Sequence, residues 1–167
     1  MDRAERAYRQ WEKERPDIDG LPMMVLGRLN EVAQRVSRDH LWPLFASHGL
    51  QPGDFDVLAT LRRAGPPYAL SPTALYDATM VTSGTMTSRV DRLEKSGWVA
   101  REPDPDDRRG RLVALTKPGF ALIDLAVTEH VDNEIGVLAG LSRKEQEALS
   151  TLLGKLIETL PTPSARQ

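Results

Sequence analysis

The sequence predicts a mainly α-helical chain with one small β-hairpin. Two observations carry that expectation. Apolar residues recur at helical spacing in one stretch after another, most plainly at Phe120, Ile123, Val127, Val131, Ile135 and Leu138. Only one segment replaces that rhythm with two short runs of strand type, GWVAREPDPDDRRGRLVALT at residues 97–116. Its polar middle carries Pro103 and Pro105, alternating acids, and then Arg108, Arg109 and Arg111.

The elements follow in order. Residues 2–15 read as a short helix with Tyr8 and Trp11 on one face, broken by RPDIDGLP. A longer helix keeps Val25, Leu29, Val32 and Val36 in period and stops near LWPLFASHGL, where Pro43 and Gly49 interrupt. Pro52 opens the next, with Phe55, Leu58 and Leu61 on its buried face, and AGPP closes it. Ser71 is a suitable N-cap with Pro72 at the first helical position, where a missing N–H costs nothing. After residues 79–81 a helix runs to Ser96, turning Met86, Val90 and Leu93 inward, and Gly97 ends it. Strands at 98–102 and 111–116 form the hairpin. LTKPG restarts helix, and Ser142 with Glu145 makes a capping box for a last helix bearing Leu149, Leu152, Leu153, Leu156, Ile157 and Leu160. The expected organisation is N-terminal helices over 1–50, a lobe over 51–117, C-terminal helices over 118–160 and a frayed tail over 161–167.

Composition excludes several functions. A chain of 167 residues, 40% hydrophobic and 28% charged, is ordinary and globular. It has no apolar run that would span a bilayer and opens without a signal peptide, so the expectation is a cytoplasmic protein with no membrane partner. With no cysteine there is no disulfide, thiolate chemistry or cysteine-based zinc site. His40, His48 and His130 lack metal-ligand spacing, so neither metal nor cofactor is expected. No Gly-rich phosphate loop or His–carboxylate cluster suggests an enzyme.

Charge placement is more informative than the net charge of −2. Residues 82–111 hold seven Lys and Arg against six Asp and Glu, so the basic surplus sits in one segment. Short helix, turn, polar-faced helix and hairpin over 71–116 is the layout of a winged helix-turn-helix, whose second helix enters the major groove. The outward face of that helix carries Thr82, Ser83, Thr85, Thr87, Ser88, Arg89 and Arg92. Small hydroxyls let base edges and phosphates approach, and Arg pairs bidentately with guanine. A helix selected only for stability would carry Glu, Lys and Ala. A solvated polar helix is the competing reading. The hairpin tip, with Arg108, Arg109 and Arg111, suits an adjacent minor groove, where negative potential attracts Arg. Its prolines reduce the entropy lost on binding. Self-neutralising surface ion pairs are the alternative there.

Over residues 52–120 the chain resembles the MarR-type (multiple antibiotic resistance) transcription regulators. The resemblance rests on LSPTAL, TSGTMTSRVDRLEKSGWVARE, then Asp-Arg-Arg, then LTKPG. It implies a homodimer with one winged lobe per subunit on double-stranded DNA at a palindromic operator, formed through the first and last helices. Ser71 joins the DNA-facing residues on that basis. A subgroup, the urate-responsive regulators, matches further: an extra N-terminal helix with Trp11, Asp56 before the helix-turn-helix, Arg89 in the recognition helix and Arg101 in the first wing strand. These imply a small anionic aromatic ligand, with Trp11 as wall, Arg101 as cation and Asp56 as acceptor, and with Arg89 coupling pocket to DNA through a salt bridge. Phenolic or small organic acids are the alternative ligands. A winged-helix module for protein contacts, with no DNA role, is the alternative function.

Overall fold

The computed structural model describes residues 1–79, 86–107 and 109–160. They form two compact units, Met1–His130 and Val131–Gln167, each described by itself.

In the first unit, α1 (Arg3–Glu14) is capped by the Asp2 carboxylate, which accepts the Glu5 N–H at 2.8 Å. α1 lies on α2 (Leu21–Arg35), where Arg28 reaches back to Asp2 and Glu5. Of the two expected interruptions, Gly49 follows the end of the helical run, with a left-handed φ of 72°, but Pro43 does not stop it. α2 runs directly into a π-helical stretch, Val36–Leu41, and on into α3 (Trp42–Ser47), with the Trp42 N–H bonded to the Ser37 carbonyl. Pro43 lacks an N–H, and its ring would strike the carbonyl four residues back in α geometry. A widened turn just before it lets the helical direction continue.

α4 (Asp54–Arg63) begins two residues later than Pro52 suggests and buries Phe55, Val57, Leu58 and Leu61. α5 (Pro72–Ala78) starts as expected, with the Ser71 hydroxyl accepting the Ala74 N–H. α6 (Met86–Lys95) turns Met86, Val90 and Leu93 inward as expected. Leu58, Leu61, Leu75 and Leu93 are wholly buried where α4, α5 and α6 meet, each worth about 2 kcal/mol in removed apolar surface.

The hairpin strands are β2 (Val99–Pro103) and β3 (Arg111–Leu115), registered Val99 to Leu115 through Pro103 to Arg111. A third strand escapes sequence reading: β1 (Ala69–Leu70) pairs antiparallel with β3, giving the order β1-β3-β2. Two residues are too few for an alternating pattern to register. α7 (Lys117–Val137) leaves the sheet, is capped by Thr116, and buries Gly119, Ile123 and Ala126 against the same core.

The second unit holds the end of α7 and α8 (Arg143–Thr159). The capping box is present: the Ser142 hydroxyl accepts the Glu145 N–H, and the Glu145 carboxylate accepts the Ser142 N–H. The expected tail, 161–167, lies outside the described residues.

Candidate nucleic-acid interface and ligand site

α6 and β2, the first strand of the hairpin, pack against one another. Apolar residues at 86, 90 and 93 turn one side of α6 into the core and leave Thr87 and Ser88 exposed on the other. Thr82, Ser83 and Thr85, expected on the same face, lie outside the described residues, as does Arg108. Ser71 is half-buried, and its hydroxyl caps α5.

At the hairpin tip Arg109 and Arg111 are exposed. Among the described residues, aspartates organise this turn through backbone N–H groups. Asp104 accepts the Asp106 N–H and Asp107 the Arg109 N–H, both at 2.9 Å, while the Gly110 N–H bonds to the Asp107 carbonyl. Such Asx turns fix the backbone locally. Arg109 is exposed next to this bonded backbone.

The arginines of α6 are placed differently from the outward face expected. Arg92 turns toward α4 and forms an ion pair with Asp54, which holds its guanidinium above the usual arginine pKa. Arg89 is half-buried with its guanidinium packed over Gly53. The expected coupling salt bridge of Arg89 is therefore replaced, among the described residues, by Arg92–Asp54. The reason is geometric: residues 89 and 92 are three apart and share the side of α6 that meets the start of α4.

Arg101 stands on β2 and donates to both Asp91 and Glu94 of α6, Asp91 being the larger cause of its raised pKa. The wing strand is thus clasped to α6. Arg101 also lines a cavity of about 150 Å³ with Pro72, Met86, Thr87, Val90 and Val113. Neither Trp11 nor Asp56 borders that cavity, so the chain does not gather the three expected ligand residues there. Trp11 is 45% exposed on α1, and Asp56 is half-buried in the first turn of α4.

A larger cavity of about 410 Å³ lies between α4 and α7, lined by Phe55, Ala59, Arg62, Arg63, Asp124, Val127 and His130. Phe55 and His130 pack there as tilted rings with centroids 4.6 Å apart. Arg62 pairs with Asp124 at 2.9 Å and lies over Phe120, while Arg63 donates to the Ala78 carbonyl at the end of α5.

Sequence reading missed Asp54, Gly53, Asp91 and Glu94. The two acids of α6 carried a usable signal, since their spacing puts them on one helix face beside an arginine-bearing strand.

Comparison with known proteins fits this architecture. Residues 48–110 match the model of the MarR family. The regulator PecS of Dickeya dadantii is 46% identical over 88% of each chain. A MarR family regulator of Streptomyces coelicolor, solved in complex with DNA, superposes with a TM-score of 0.76 at 27% identity, covering 89% of this chain and 92% of that one. A mutant MarR of E. coli complexed with operator DNA gives 0.68 at 29% identity, over 90% and 98%. With the lobe, the hairpin and α6 all in place, and identity at this level along most of both chains, the protein belongs to the MarR family of DNA-binding transcriptional regulators and is not an enzyme.

Proposed function

We propose that this chain is a homodimeric repressor that grips a palindromic operator and is released by a small anionic aromatic ligand, urate or a related purine. The observation that carries the proposal is the pairing of α6 with the hairpin: α6 exposes Thr87 and Ser88, the hairpin exposes Arg109 and Arg111, and Arg101 clasps the two elements together. In this reading α6 enters the major groove and the hairpin arginines the neighbouring minor groove. Thr82, Ser83, Thr85 and Arg108 extend the same surface by sequence, Ser71 adds a hydroxyl at the start of α5, and Arg89 and Arg92 orient α6.

Release follows from the clasp. Arg101 is the cation offered to the ligand, and Asp91 and Glu94 already hold it. An anion that takes Arg101 frees two acids of α6 and unfastens the hairpin from the helix that reads DNA. By sequence Trp11 is the aromatic wall and Asp56 the acceptor for ring N–H groups; neither borders the Arg101 cavity within one chain, so this reading needs the dimer to bring them to the ligand. Coupling of about 1–3 kcal/mol is enough to shift operator occupancy.

The 410 Å³ cavity favours a second reading, in which the ligand is a phenolic or small organic acid. Its apolar and aromatic walls with two arginines suit a flat monoanion, and Arg63 already touches the end of α5.

Fluorescence anisotropy on duplex DNA from upstream of the reading frame, with and without urate, tests the proposal. Urate reverses binding if the purine reading holds, and Arg101→Ala abolishes that reversal. Reversal by salicylate but not by urate moves the ligand to the second reading. Arg109→Ala weakens binding and lowers the salt slope by about one. Unchanged affinity removes the hairpin from the interface.

A further inference from the structure

The start of α4 contains a buried acid that neither the DNA-facing surface nor the proposed ligand site employs. Asp54 is 1% exposed. A carboxylate so buried costs several kcal/mol unless its oxygens are occupied. Both are. Oδ2 accepts the Gln51 N–H at 2.9 Å and Nε of Arg92 at 3.1 Å, and Oδ1 accepts Nη2 of Arg92. The planar guanidinium therefore meets the carboxylate edge to edge, in the bidentate geometry that fixes orientation as well as distance.

Beside it, Gly53 has a left-handed backbone with φ of 88°, and a Cβ there would lie 2.4 Å from Cζ of Arg89. The guanidinium of Arg89 occupies that space. Arg89 and Arg92 are three residues apart, so α6 touches the start of α4 at two points one turn apart on a single side. Against the core the rest of its seating is apolar, through Met86, Val90 and Leu93, while Asp91 and Glu94 elsewhere on the helix hold Arg101 of the wing strand. Apolar burial is non-directional and leaves a helix some freedom to slide and roll. A bidentate ion pair beside a close backbone contact does not.

We propose that Gly53 and Asp54 form a seat that sets the rotation and pitch of α6, making them positioning residues for operator discrimination. The proposal rests on the reading of α6 as the helix that enters the groove. Base edges need side chains held to within about 0.5 Å, whereas phosphates are reached by flexible arginines. Loosening the seat therefore degrades specific binding and leaves the non-specific background in place.

The test compares full-length variants on two duplexes, one from upstream of the reading frame and one of the same composition with shuffled sequence. Asp54→Asn lowers the ratio of the two affinities by about tenfold, while the salt slope and the shuffled-duplex affinity stay at wild-type values. Gly53→Ala moves the ratio in the same direction. Arg92→Lys keeps the positive charge but lacks the planar fork, so it reproduces the loss and carries the test should Asp54→Asn fail to fold. The double variant Asp54→Asn/Arg92→Lys is no worse than either single one. Folded Asp54→Asn and Arg92→Lys proteins with an undiminished ratio overturn the seat, as does a loss additive between them. A drop in salt slope with Asp54→Asn also overturns it, since the pair would then be affecting phosphate contact. Wild-type protein that binds neither duplex in a salt-sensitive way removes the DNA-reading role of α6 itself, and the seat with it.

Discussion

At Gly119 one absent methyl group lets the lobe close. A Cβ there would lie 1.9 Å from the carbonyl oxygen of Trp98. That carbonyl also accepts the Thr116 N–H at 3.1 Å, and the Thr116 hydroxyl donates to the Gly97 carbonyl while accepting the Gly119 N–H. The start of α7 is thereby laced to the residues that join α6 to β2 by backbone groups and the Thr116 hydroxyl. Backbone cannot swing aside as a side-chain tip can. Gly119→Ala should cost about 2–3 kcal/mol, read as a lowered urea midpoint with unchanged m-value. A midpoint at the wild-type value would mean that the junction is not close-packed. Residue by residue, the sequence was unevenly readable. LTKPG marked the position of Gly119 as part of a pattern without supplying its physical reason. Asp54 looked like any acid in a first helical turn, where the helix dipole favours a solvated carboxylate. Only the return of α6 onto that turn buries it and pairs it with Arg92.

Elements were legible where local chemistry decides them. Ser71–Pro72, the inward trio of α6 and the Ser142–Glu145 box are short-range signals, and each appears as expected. They failed where tertiary pairing decides. β1 exists because β3 offers it an edge, and the α2–α3 run survives Pro43 because the turn before it widens. The capping box of α8 gives a prediction at this scale. Hydrogen bonds from the Ser142 hydroxyl, and then from its backbone N–H, hold the Glu145 carboxyl below its usual value of 4.5. Because the folded value is the lower one, this contribution is fully present above pH 4.5 and is lost as pH falls through the lowered folded value. Amide exchange in the first turn of α8, referenced to intrinsic rates, should accelerate in that window. Ser142→Ala should accelerate it already at neutral pH, by an amount equivalent to about 1 kcal/mol. Exchange that is indifferent to both changes would mean that the box does not hold the helix start.

At the scale of the whole molecule, large apolar residues lie open to solvent along several helices. On α2, Val25 is 51% exposed, with Leu29 and Val32 on the same helix also open. In the second unit Ile135 is 63% and Leu152 66% exposed, and Ile157 and Leu160 are open as well. Stripes of this kind mark interaction surfaces. A second copy of the chain is the occupant that the proposed function requires, because a palindromic operator is read by two lobes about one helical turn apart. Joining the lobes makes the second half-site contact effectively intramolecular, so affinity for a full site should depend steeply on dimerisation. Leu152→Glu puts a charge in the middle of the α8 stripe. It should shift sedimentation equilibrium toward monomer and weaken binding to the full duplex, while binding to a half-site duplex and the near-ultraviolet signature of the lobe stay as in the wild type. A variant that remains dimeric and binds the full duplex normally would place the dimer contact elsewhere, with the α2 stripe as the next surface to alter, through Val25→Glu. Loss of half-site binding as well would show instead that α8 supports the lobe's own fold.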